Sequence, residues 1–203
     1  MGGTYPSKYI DGYYERMHKN AVRMFKEIGI KNGVLMLSGF YENGEFYVYD
    51  TGFRLQGEAP HLLMKAAHGF DQREMLIRFA LTGSEGEVDL QKEDDPRFGG
   101  KWAATLWILL KSGKIDRIEG LEAIAGDKRI VANIQRLYEG DTVNAEWIGT
   151  EKQVMTRLYL LCDTKEELAD ALKEYMDKIK VYDTNGNSMV LRGFDVDKAL
   201  ELN

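Results

Sequence analysis

The segment Tyr41-Glu42-Asn43-Gly44-Glu45, flanked by β-rich runs at 34–40 and 46–50, constrains the fold more than any other part of the chain. Asn-Gly tolerates the positive backbone angles of a tight hairpin turn, so the two runs are expected to pair antiparallel. Before them, Ile10, Tyr13, Tyr14, Met17, Ala21, Met24, Phe25 and Ile28 recur at helical spacing and stop at Gly29, which predicts an amphipathic helix. After them, Asp71 is placed to cap a helix whose apolar stripe, Met75, Leu76, Phe79 and Ala80, ends before Gly83. Helix, hairpin and helix define a first α+β domain over residues 1–87.

The acidic, turn-rich stretch from Ser84 to Gly100 reads as an exposed connection, with a boundary near residue 88. Short strand-like runs follow at 103–110, 129–137, 142–148 and 155–162, separated by turns such as Ser112-Gly113 and Glu139-Gly140-Asp141. Thr164-Lys165-Glu166-Glu167 is a capping box opening a helix with Leu168, Ala171, Leu172, Tyr175, Met176 and Ile179 on one face. Residues 88–203 are therefore expected to form a β-rich second domain carrying one helix.

Composition narrows the functional classes. A net charge of −6, with Lys and Arg nowhere in a long block, argues against nucleic acid as a partner. No stretch reaches the roughly 20 apolar residues a membrane span needs, and the start MGGTYPSK lacks the apolar core of a signal peptide. A single cysteine, Cys162, excludes an internal disulfide and, within its apolar run, reads as a buried strand thiol. A reducing cytoplasm is the compartment these features fit.

The chemistry is concentrated between residues 38 and 61. If the second hairpin strand continues through Tyr49-Asp50-Thr51-Gly52-Phe53-Arg54, alternation puts Asp50, Gly52 and Arg54 on one face. A carboxylate suited to a hard cation and a guanidinium suited to phosphate or carboxylate would then point the same way. The same string is also that of an edge-strand ion pair.

The stretch from Gly29 to Gly83 resembles the final hairpin and following helix of the ATP-grasp superfamily, which includes biotin carboxylase, the carbamoyl-phosphate synthase large subunit and phosphoribosylamine–glycine ligase. The resemblance rests on the glycine-flanked hairpin, the Asp50-Thr51-Gly52-Phe53-Arg54 strand end, and Gly69-Phe70-Asp71 opening a helix that stops at Gly83. A weaker likeness runs from Lys111 to Asp183, toward the β-rich, barrel-like C-terminal domain of the biotin carboxylase branch. It implies ATP and magnesium as cofactors, with Asp50 as metal ligand on the nucleotide phosphates and Arg54 on the transferred phosphate or the carboxylate substrate. Arg54-Leu55-Gln56-Gly57-Glu58 is similar to the string that surrounds bicarbonate in that branch, which implies substrate-binding roles for Arg54, Gln56, Gly57 and Glu58, with Arg54 and Glu58 catalytic.

Two positions depart from the family pattern. Gly52 stands where the family has a metal-binding Asn, and Ser38, twelve positions before Asp50, stands where it has a first acidic ligand. The family's nucleotide-binding lysines, flap and hinge precede the helix beginning near Ile10, so the resemblance implies the C-terminal part of a carboxylate–amine ligase. It would work with an N-terminal ATP-grasp half, in the same polypeptide or in trans, on a small carboxylate activated as an acyl phosphate. The alternative is a non-catalytic scaffold or sensing module on the same fold, and homo-oligomerisation is a further expectation.

Other residues carry plainer readings. His18, His61 and His68 lack a metal-ligand spacing, although His61 lies just past Glu58. Trp102, Trp107 and Trp147 are expected in the core of the second domain, Glu93-Asp94-Asp95 in a solvated turn, and Lys8 in an exposed loop.

Overall fold

The computed structural model describes residues 2–191 and 193–201. The chain divides into two compact units: a hairpin unit, Pro6–Gly99, and a sheet unit made of Met1–Tyr5 with Gly100–Asn203. The first strand, β1 (Gly2–Tyr5), belongs to the sheet unit.

In the hairpin unit, α1 (Ile10–Tyr13) continues through a π-helical turn, Tyr14–His18, into α2 (Lys19–Glu27). Gly29 follows in the left-handed region at φ 90°. The expected helix is therefore present, but its apolar face is not the one predicted. A π-turn closes its hydrogen bonds one residue later than an α-turn, so it advances the face of everything after it. Phe25 is buried, whereas Tyr14, Met24 and Ile28 are exposed.

Strands β2 (Leu35–Glu42) and β3 (Glu45–Phe53) form the expected antiparallel pair. Asn43 and Gly44 take the predicted positive φ angles, 51° and 86°. Ser38 faces Asp50 and Gly39 faces Val48, so Tyr49 is the extra residue of a bulge. A Cβ on Gly39 would lie 2.7 Å from the Tyr47 carbonyl oxygen, which is why the bulge is opposed by glycine.

Helix α3 (His61–His68) was not expected from the sequence; it ends at Gly69, φ 83°. Helix α4 (Gln72–Thr82) is capped as expected: the Asp71 side chain accepts the Arg73 backbone N–H, and Gly83 closes it at φ 76°. Ala80 lies exposed, away from the predicted stripe. After the short α5 (Leu90–Glu93), the Asp95 carboxylate accepts the backbone N–H groups of Arg97 and Gly99, and Arg97 pairs with Asp11 in the first turn of α1. These bonds tie the acidic connection to the hairpin unit, so the division falls after Gly99, while the expected boundary near residue 88 lies inside that unit.

The sheet unit contains β4 (Trp102–Leu109), β5 (Gly113–Glu119), α6 (Leu121–Ile124), β6 (Ile130–Gln135), β7 (Thr142–Val143), β8 (Val154–Cys162), α7 (Lys165–Lys178), β9 (Lys180–Asp183) and α8 (Val196–Leu200). Its strands form antiparallel sheets of order β1-β4-β8-β6 and β7-β5-β9. The strand expected over 142–148 shortens to β7, because the chain turns into a 3-10 helix at Ala145–Trp147. Leu168, Ala171, Leu172 and Tyr175 of α7 share one buried core with Leu106, Leu158 and Leu160. The predicted capping box is formed: Thr164 Oγ1 accepts the Glu167 N–H at 3.1 Å, and Glu167 Oε2 accepts the Asp163 N–H at 2.9 Å.

Arg129 joins the start of the β6 region to α7, donating to Asp127 and, at 2.8 Å, to Glu174 while stacking over Tyr175. Trp102 and Trp147 pack against the core, and Cys162 is buried, its thiol pushed up to about 11 chiefly by burial. Among the described residues no helix is long and apolar enough to cross a membrane.

Candidate functional site

The candidate site grows from strand β3. Asp50 and Ser38 face each other directly across the β2–β3 pair, so the carboxylate and the hydroxyl lie on the same face. Met36 and Gly52, the next opposed pair of that phase, lie on it too. The two positions at which the family resemblance places magnesium ligands are therefore cross-strand neighbours. Asp50 is exposed and has no hydrogen bond or ion pair among the described residues.

Arg54 follows the end of the strand and folds back toward Gly52. A Cβ built on Gly52 would lie 3.7 Å from Arg54 Cγ, 3.8 Å from Arg54 Nε and 3.2 Å from Met36 Cε. A side chain at Gly52 would press on the end of Met36 and would meet the Arg54 stem in ordinary contact. Asp50, Gly52 and Arg54 share one face, and Arg54 Nη1 donates to the Leu55 carbonyl at 3.1 Å.

Gln56 and Glu58 are brought together by a turn. Gln56 Nε2 donates to Glu58 Oε2 at 3.1 Å, and the Gln56 carbonyl accepts the Ala59 N–H at 3.2 Å. Ala59 takes a left-handed φ of 57°, which costs a non-glycine residue roughly 1–2 kcal/mol. Such strain at a loop bearing two polar candidates is the kind concentrated at functional sites. Gly57 is exposed, and a Cβ on it would meet nothing within 4 Å.

Sequence reasoning missed the aromatic surroundings. Phe40 and Tyr49 pack ring to ring at 4.8 Å beside Asp50, and with Tyr47 they are more than half exposed. A cleft of about 440 Å³ opens between the hairpin and the helix before it. Its walls include Tyr9, Tyr13, Phe40, Tyr41, Phe46 and Tyr47, and Ser38 borders it. The Tyr9 and Tyr41 rings stack at 3.9 Å, and among the described residues no charged side chain lines the cleft. The signal was available: aromatic residues fall at both alternation phases of Phe40-Tyr41 and Phe46-Tyr47, so neither face of the hairpin reads as plainly solvated.

His61 opens α3 three residues after Glu58, buried, with its Nδ1 atom lacking a hydrogen-bond partner among the described residues. Burial, reinforced by the Arg73 charge and opposed by Asp71, lowers its pKa from the ordinary 6.5. Burial alone would raise the nearby Asp71 carboxyl, but hydrogen bonds from Arg73 and the charges of Arg73 and Lys65 bring it down to about 2. As pH falls below 6.5 the unfolded chain protonates His61 before the folded one does, so stability declines until the lower folded pKa is reached and then levels. Urea midpoints measured from about pH 7.5 to 5.5 should show this slope, and His61→Gln should flatten it. An identical slope in both proteins would assign the pH dependence elsewhere. Among the described residues no group of three or more His, Cys, Asp or Glu side chains could hold a metal ion.

The sequence matches no known family model and no curated protein. Solved structures are similar to it in fold. Phosphoribosylglycinamide synthetase from Anaerococcus prevotii superposes with a TM-score of 0.74 at 17% identity, over 90% of this chain and 45% of that one. L-amino acid ligase from Bacillus licheniformis gives 0.72 at 19% identity, over 90% and 44%. The biotin carboxylase domain of Hydrogenobacter thermophilus 2-oxoglutarate carboxylase, in complex with MgADP, ADP and bicarbonate, gives 0.64 at 17% identity, over 93% and 39%. The chain therefore has an ATP-grasp-like fold, as the sequence resemblance implies. It spans less than half the length of each of these structures.

Proposed function

We propose that the chain is the C-terminal part of an ATP-dependent carboxylate–amine ligase. The observation that carries this reading is a linear order along β3: an uncharged aromatic cleft near the hairpin tip, then Asp50 opposite Ser38, then Arg54. Because Arg54 folds back from the strand end toward Gly52, its stem lies about two residues, roughly 7 Å, along the strand from Asp50. That is the order of a nucleotide laid along the strand, with its base in the aromatic cleft, its phosphates at Asp50 and the phosphoryl acceptor at Arg54.

Magnesium is usually held by one or two carboxylates together with substrate phosphates, so exposed Asp50 fits it, with the Ser38 hydroxyl alongside. Bound there, the ion would supply neutralising charge on the phosphates. Arg54 would contact the phosphoryl group or the carboxylate with its planar fork, whose donors suit either anion. Gln56 and Glu58, already hydrogen-bonded to each other, would border the small carboxylate, with Glu58 as base or orienting group. The opposite wall of the nucleotide site would come from an N-terminal ATP-grasp half, in the same polypeptide or in trans. The product of phosphoryl transfer would be an acyl phosphate, which an amine then displaces.

Calorimetric titration with ATP, with and without magnesium, tests the reading on this chain alone and with a polypeptide supplying the complementary half. Magnesium-dependent binding, tightened by that half and abolished by Asp50→Ala, is expected. Absence of binding in both settings, with the two pieces folded and associated, would sink the ligase reading and leave a non-catalytic scaffold.

A further inference from the structure

We infer that the cationic outer face of α2 is a docking surface for the acidic segment 85–95 of a second copy of this chain. Lys19, Arg23 and Lys26 fall at i, i+4 and i+7 on α2, with Val22 between them. With His18 and Glu27 they line a shallow hollow of about 530 Å³. All three cations are exposed, and Arg23 meets Glu27 only at 3.9 Å. A cationic stripe flanked by exposed Val22 and Met24 is out of character for a chain of net charge −6.

The complementary surface is in the same unit. Segment 85–95 carries Glu85, Glu87, Asp89, Glu93, Asp94 and Asp95 against the single cation Lys92, and it exposes Val88 and Leu90 between its acids. Acids alternating with apolar side chains match cations alternating with apolar side chains. Within one chain the end of the segment is held elsewhere: Asp95 accepts the Arg97 and Gly99 N–H groups, and Arg97 pairs with Asp11 of α1. No ion pair joins it to α2 among the described residues. Three cations on an acidic protein are too few to hold a nucleic-acid backbone well at physiological salt. Because the two surfaces differ, copies can meet reciprocally in a closed two-fold pair or join head to tail. Its electrostatic part must weaken with salt.

Sedimentation velocity of the full chain tests this. The weight-average mass should rise with concentration at about 0.02 M salt and return to that of the monomer at about 0.5 M. The triple variant Lys19→Glu, Arg23→Glu, Lys26→Glu and the double variant Glu87→Lys, Glu93→Lys should each lose association by more than about tenfold. Matched unfolding midpoints would show that both variants are folded. An equimolar mixture of the two should associate again, because each then offers the charge the other lacks. A wild-type chain that stays monomeric at low salt, association that survives either reversal, or a mixture that fails to recover would overturn the inference.

Discussion

Assayed together with a complementary nucleotide-binding half, as the proposed ligase reading requires, Arg54→Ala is expected to lower kcat by on the order of 10²–10³-fold, the loss of roughly 2–4 kcal/mol of preorganised charge stabilisation. The expectation rests on position. Arg54 is folded back over Gly52 on the face that carries Asp50, and its guanidinium is engaged only by the neighbouring Leu55 carbonyl among the described residues. Little has to be broken before it can meet an anion. Arg54→Lys should recover part of the rate, since it restores the charge without the planar fork. Release of ADP under saturating ATP is the measurement, and a kcat within about twofold of wild type in Arg54→Ala would remove Arg54 from the chemistry.

The largest effect on stability is expected at Gly120, between β5 and α6. Its φ is 89°, and an added Cβ would lie 2.2 Å from the Lys178 carbonyl oxygen and 2.6 Å from its carbon. Gly120→Ala therefore combines a left-handed penalty of about 1–2 kcal/mol with an overpacking cost of about 1–3 kcal/mol against backbone at the end of α7. Gly126 supplies the control: its φ is 85°, but a Cβ there would meet nothing within 4 Å. Gly126→Ala should show the backbone penalty alone. Urea unfolding of both variants separates the two contributions, and equal losses would mean that the contact with Lys178 relaxes at no cost.

Features encoded locally were legible in the sequence. Asn43-Gly44 dictates its turn, Asp71 and Gly83 bracket α4, and Thr164 with Glu167 starts α7, each through bonds within a few residues. Features set by distant contacts were not. The π-turn at Tyr14–His18 has no sequence mark, and the edge-on packing of the neighbouring Tyr13 against Phe46 of the hairpin is a contact distant in sequence. In the site, Asp50 and Arg54 were visible as residue types on one alternation phase. The Ser38–Asp50 opposition depends on the bulge at Tyr49, and the space taken at Gly52 depends on Met36 of the opposite strand. Neither is a property of the local string.

Strand β1 pairs with β4 from Gly2 opposite Leu106 to Tyr5 opposite Ala103. During translation these partners leave the ribosome about a hundred residues apart, an interval of roughly 5–20 s at ordinary elongation rates. Throughout that interval the hairpin unit is free to fold, while the nascent β1 carries unpaired N–H and C=O groups. A Cβ on Gly2 would lie 2.2 Å from the Thr105 carbonyl oxygen, so bulk is excluded where this late ladder closes. Clipping the first five residues would leave β4 as an open sheet edge, a template for intermolecular pairing.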